Sequence, residues 1–187
     1  SRGLCRRMTL VTLFLRLLCG GAAISLSSCA TMNVSEFSGG GPEFDPLRFF
    51  TGQTSSFGVM ENRGGEPRQI VKTETDGQLT GDTLRLEQVL SLGTSKSQHR
   101  SWRIRKIDAH RYEATANDIV GTVRGEAYGN VFHWSFTLEL SPGNPLANVR
   151  MSQWMYLQAD GKTMVNHSTI RKFGVVVAQV TEQFRKR

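Results

Sequence analysis

The side chains of this 187-residue sequence that could do chemistry are few and scattered. The four histidines are His99, His110, His133 and His167. No two stand at i,i+2 or i,i+4 spacing, and no H-E-x-x-H is present, so a metal site would need them to converge across separate elements. No G-x-S-x-G nucleophile elbow, phosphate-binding loop or dinucleotide fingerprint appears either. No catalytic residue, metal or cofactor is therefore assigned. The most interesting polar pair is Asn117-Asp118. A carboxylate enclosed by a sheet could bind a polar head group, or act as a general base with a raised pKa. The plainer reading is an aspartate that caps a turn through nearby backbone amides. Trp102, Tyr112, Trp134, Trp154 and Tyr156 stand on different predicted strands. With Asp118 they are the candidates to line a pocket for a lipid-like ligand. They could equally fill a small barrel with side chains.

The three cysteines, Cys5, Cys19 and Cys29, all fall in the first thirty residues. This excludes a disulfide framework or thiolate zinc site in the rest of the chain. Arg2, Arg6, Arg7 and Arg16 form a basic n-region, with Met8 as an alternative start, and Leu17 to Leu26 form a short apolar h-region. That run is shorter than the ~20 apolar residues a spanning helix needs. Leu26-Ser27-Ser28-Cys29 then resembles the bacterial lipobox, in which the chain is cut before the cysteine and its thiol is acylated. The expectation is a signal peptide over 1–28 and a lipidated Cys29, with residues 29–42 as a flexible tether through the Ser/Gly stretch Ser38 to Gly41. Ala30, where an aspartate would retain a lipoprotein at the inner membrane, implies by resemblance an outer-membrane lipoprotein facing the periplasm.

The remaining residues, 43–187, must position the candidates. Glu43 to Gly52 is punctuated as a short helix: Asp45 suits the N-cap, Pro46 the first turn and Gly52 the stop, with Leu47, Phe49 and Phe50 as its apolar face. From Ser55 onward the periodicity is two. In Val131 to Leu140, Phe132, Trp134, Phe136, Leu138 and Leu140 share one face, opposite His133, Ser135, Thr137 and Glu139. Leu84, Leu86, Leu90 and Leu92 likewise stand opposite Arg85, Glu87, Val89 and Ser91. Further strands are expected over 57–62, 68–76, 100–107, 111–118, 122–128, 149–158, 163–171 and 175–184. Gly, Asn and Asp signals separate them, and Asp160-Gly161 is a good hairpin turn. Nine or ten strands with short links must pair antiparallel. A meander of that length leaves two open edges unless it closes. The expected fold is an all-β, antiparallel up-and-down barrel, plugged at one end by the short helix. A two-sheet sandwich is the alternative.

The net charge of +7 does not point to nucleic acid. Four of the 23 basic residues precede Cys29 with no acid among them, which leaves 19 against 16 in the rest of the chain. These are dispersed except for Arg185-Lys186-Arg187, whereas nucleic acid needs a clustered basic face.

Several stretches together resemble a bacterial lipoprotein family known as domain of unknown function 3833. They are "GPEFDPLRFFTG", "GDTLRLEQ", "SWRI", "RYEATANDIVGTVRGEAYGNVFHW", "WMYL" and "KFGVVVAQVTEQFRK". The resemblance implies a secreted, lipocalin-like lipoprotein and carries no established activity. The sequence departs from the family pattern at Met151-Ser152-Gln153 and at Asn166-His167. The expected function is a membrane-anchored binding module for an apolar or amphipathic small molecule such as a fatty acid or lipid. The alternatives are an envelope enzyme acting on a lipid, and a solid barrel whose outer face docks a protein. An open apolar lumen, a convergent His/Asp cluster and a filled interior would distinguish the three.

Overall fold

A computed structural model describes residues 32–187 of the chain. The signal peptide and Cys29 expected from the sequence lie outside the described residues. Ten antiparallel strands follow one another around a closed barrel: β1 (Gly52–Asn62), β2 (Pro67–Thr80), β3 (Thr83–Leu92), β4 (Gln98–Lys106), β5 (Arg111–Ala116), β6 (Val123–Tyr128), β7 (Val131–Leu138), β8 (Val149–Leu157), β9 (Thr163–Lys172) and β10 (Val175–Lys186). Each strand pairs with its neighbour in sequence. β1 closes on β10 in a register running from Thr54 opposite Lys186 to Asn62 opposite Ala178. Closure satisfies the backbone groups that a meander would leave bare at its two edges.

Alternation decides which side chains enter the barrel. On β7, Phe132, Trp134, Phe136 and Leu138 are buried and point inward, while His133, Ser135 and Thr137 point out. His133 is only half-buried on the outer face, where it stacks on Trp154 with ring centroids 4.1 Å apart. The Asp160-Gly161 turn forms as expected. The Asp160 carboxylate accepts the backbone N–H groups of Lys162 and Thr163, each at 2.8 Å.

The two ends of the barrel differ. At one end stands the short helix α1 (Pro46–Phe49), a single turn within the Glu43 to Gly52 stretch. Asp45 caps it, accepting from Leu47 N and Arg48 N. The helix lies across the end where β2 meets β3 and β8 meets β9. Lys106 Nζ donates to Asp45 Oδ2 at 3.1 Å, Lys186 Nζ to the Arg48 carbonyl at 2.6 Å, and Phe44 N to the Gly129 carbonyl at 2.7 Å. Phe44, Leu47, Phe49 and Phe50 are each at most 6% exposed. The three phenylalanine rings pack edge-to-face onto one another and onto Phe132 and Phe184 at centroid distances of 5.0–6.2 Å, a favoured geometry for aromatic pairs. With Leu84, Ile104, Tyr112 and Met164 they seal this end.

The segment ahead of α1 is held as well. Val34–Phe37 forms a 3-10 turn with a capping box between Asn33 and Glu36, and Val34 is buried. The Ser/Gly stretch expected as a flexible tether lies against the barrel. Gly40 N donates to the Phe37 carbonyl, and Gly40 sits so close to Asn130 that a side chain there would collide with it.

Candidate functional site

Above the sealed layer the barrel is hollow. The cavity measures about 310 Å³ and opens at the end opposite α1, between Leu92, Gln98, Leu140 and Val177. Two walls of different chemistry face each other across it. The inward residues of β3, β4 and β7 are mostly apolar: Leu86, Leu90, Trp102, Ile104, Trp134 and Leu138. Trp102 and Trp134 stack at 4.8 Å with an interplanar angle of 22°. Each indole N–H has a partner, Gln88 Oε1 for Trp102 and Gln153 Oε1 for Trp134, as buried indoles require.

The opposite wall, on β1, β2, β8, β9 and β10, carries a polar strip. Glu182 lies at its centre, buried and on the cavity. Its Oε1 accepts from Ser56 Oγ at 2.8 Å and from Thr73 Oγ1 at 2.9 Å. Its Oε2 has only a long 3.4 Å contact from Asn166 Nδ2. Ser168 Oγ accepts from Asn166 Nδ2 and from Gln153 Nε2, so the strip runs on to Trp134. Burial pushes the Glu182 carboxyl above its ordinary value, and the hydrogen bonds from Ser56, Thr73 and Asn166 oppose this only in part. Gly58 allows β10 to approach closely here: a Cβ there would overlap the Thr181 carbonyl and the Cα and Cγ of Glu182.

Arg100 is the one cation, and Glu182 the one acid, among the described residues lining the cavity. Arg100 projects inward from β4 on the mouth side of Trp102, with its side chain 12% exposed. Its Nε donates to both carboxylate oxygens of Asp118, at 2.7 and 2.9 Å. Its two terminal nitrogens make no hydrogen bond within the described residues, leaving four N–H donors to offer.

The residues singled out from the sequence divide. Trp102 and Trp134 line the lumen. Asp118 does not cap a turn; it sits in the β5–β6 connection and anchors Arg100 at the mouth. Tyr112 is buried in the packed layer beneath the cavity, edge-on to Phe132 at 5.5 Å. Trp154 and Tyr156 are not in the lumen. Met155 and Leu157 take the inward positions of β8, and this parity turns the two aromatic rings outward, where Phe37 covers them at 6.3 and 6.1 Å. The sequence reading missed Arg100, Gln88, Gln153, Asn166, Ser168 and Glu182. Their signal was the strand period itself: Arg100, Trp102 and Ile104 share a face, as do Val180, Glu182 and Phe184. Among the described residues, no group of three His, Cys, Asp or Glu side chains converges as a metal site.

A family described as "Protein of unknown function (DUF3833)" matches residues 23–186. No curated protein matches the sequence. Among solved structures, the chain is similar to an S-type phycobiliprotein lyase from Guillardia theta. The TM-score is 0.54 at 11% identity, covering 75% of this chain and 90% of the lyase. It is also similar to a protein of unknown function of the DUF3598 family from Nostoc punctiforme, with a TM-score of 0.54 at 14% identity and 79% of this chain covered. The match spans about half, 51%, of that second protein. At these identities the likeness is one of fold, a lipocalin-like barrel.

Proposed function

The chain belongs to the DUF3833 family, and from its lumen we propose that it binds a single-chain amphiphile, apolar tail inward and anionic head at Arg100. The observation that carries this reading is the cavity of about 310 Å³, closed by α1 and open at the other end. An apolar cavity of about 150 Å³ takes up benzene, so this one suits about a dozen carbon atoms. The tail would lie along Trp102, Trp134 and Leu86 toward Phe50 and Phe184. The head would stay near the mouth, where the free guanidinium nitrogens of Arg100 offer a planar fork to a carboxylate or phosphate. Asp118 holds that fork in place.

The cavity supports binding over a solid barrel. An enzymatic reading is less favoured: the hydroxyls of Ser56 and Thr73 meet Glu182, but burial favours the protonated form of that carboxyl, which cannot serve as a base. Acylation of Cys29 and residence in the outer membrane, facing the periplasm, remain part of the proposal on the strength of the basic n-region, Leu26-Ser27-Ser28-Cys29 and Ala30.

The test is a titration of delipidated protein with dodecanoate, followed by tryptophan fluorescence in a Trp154→Phe variant. Trp154 is the indole outside the lumen, so the remaining signal comes from the Trp102–Trp134 stack. The expected outcome is a saturable change. Arg100→Gln should weaken binding about 10–100-fold, since a hydrogen bond to a charged group is worth about 1.5–3 kcal/mol. An unsaturable response, or equal affinity in the variant, would speak against a head group at Arg100.

A further inference from the structure

The polar strip is not needed to hold a plain hydrocarbon tail. A saturated chain gains nothing from a carboxyl, two hydroxyls and an amide in its path, and each buried polar group must be hydrogen-bonded to offset its lost hydration. Apolar residues of similar volume at these positions would make a more stable wall. The sequence nevertheless places Glu182, Ser56, Thr73, Asn166 and Ser168 side by side across four strands, with Gly58 leaving no Cβ to collide with the Glu182 Cγ.

The strip also has hydrogen-bonding capacity to spare. Oε1 of Glu182 is taken by two hydroxyls, while Oε2 has only the 3.4 Å contact. Asn166 is 1% exposed, and its Oδ1 has no partner among the described residues. Turning the amide over would orphan the nitrogen instead. No ion pair reaches Glu182 among the described residues, and the lumen's one cation, Arg100, pairs with Asp118. Burial favours the neutral acid, which can both donate and accept.

We propose that the strip around Glu182 is a subsite for a neutral hydroxyl on the ligand's chain, so that the lumen selects a hydroxylated acyl chain over a saturated one. A hydroxyl donates one hydrogen bond and accepts two, which matches the spare capacity of the strip. A carboxylate would bring a second acid beside Glu182. This inference rests on the lumen-binding reading and deepens it.

The experiment displaces a fluorescent fatty-acid probe from the protein with dodecanoate, with a series of monohydroxydodecanoates differing in hydroxyl position, and with dodecylamine. At least one hydroxydodecanoate should bind about tenfold tighter than dodecanoate, the yield of one well-made buried hydrogen bond. Glu182→Leu should abolish that preference, so that the hydroxydodecanoate and dodecanoate bind the variant within about twofold of each other. Glu182→Gln, which keeps the shape and a donor, should retain part of the preference and guards against a Leu variant that fails to fold. Absence of any preference among chains that do bind overturns the subsite and spares the lumen reading. So does a preference that survives in Glu182→Leu, or a stronger preference for dodecylamine, which would mean an ionised Glu182. If no chain displaces the probe, the lumen reading itself fails.

Discussion

Glu182 is the most informative single residue of the barrel. Burial raises its carboxyl above the ordinary value of 4.5, so the folded barrel holds this proton more tightly than the unfolded chain does. The stability it contributes is therefore complete below about pH 4.5 and is lost as pH rises through the folded-state value. Glutamine keeps the shape and cannot ionise. Glu182→Gln should gain stability relative to the wild type as pH rises above about 4.5, as read from urea unfolding. A stability difference that does not change with pH would mean that burial does not raise the carboxyl's pKa. Legibility at this scale was partial. Trp102 and Trp134 were identified because aromatic residues on an alternating face announce burial. Glu182 and Arg100 share the same faces, but a charged residue reads as solvated until the opposite wall is known. Trp154 and Tyr156 misled for the converse reason: their outward face is covered by Phe37, from a segment whose Ser/Gly composition suggested a tether.

At the scale of elements, α1 and the β9–β10 hairpin make opposite contributions. The single turn of α1 cannot persist alone, because helix nucleation is costly. Asp45 caps it, and the aromatic layer beneath holds it. Phe50 is 6% exposed, meets Phe184 at 5.8 Å and forms part of the cavity floor. Phe50→Ala should cost about 3–5 kcal/mol in equilibrium unfolding. The variant should also shift the preferred acyl chain to a longer one, since the cavity would deepen. A loss of stability with an unchanged chain-length optimum would place the tail elsewhere. In the β9–β10 hairpin, Phe173 adopts φ 50 ahead of Gly174 at φ 81, and its ring is 79% exposed. Left-handed backbone is unfavourable for a bulky residue, and this ring has little packing to compensate beyond the Lys172 ammonium 5.7 Å away. Phe173→Asn should raise stability by about 0.5–1 kcal/mol, the relief of strain less a weak cation–π contact. A decrease in melting temperature would show that the ring is packed.

For the whole molecule, the ten-strand closure was readable from short links and repeated alternation, because antiparallel neighbours need only turns and a long meander must close or expose its edges. The hollow interior was not readable. Whether a lumen is open depends on how side chains from ten strands add up across it, and no local pattern reports that sum. Here the large rings gather toward the α1 end, while Ser56, Gly58, Thr73 and Ser168 leave the other half empty. The central claim is that this space holds an amphiphile. Mass spectrometry of the intact, natively sprayed protein tests it most directly. One noncovalent adduct per chain is expected, with the mass of a single-chain amphiphile, replaced by added dodecanoate and weakened in Arg100→Gln. A protein that carries no adduct and takes up no dodecanoate, with its fold intact, would contradict it.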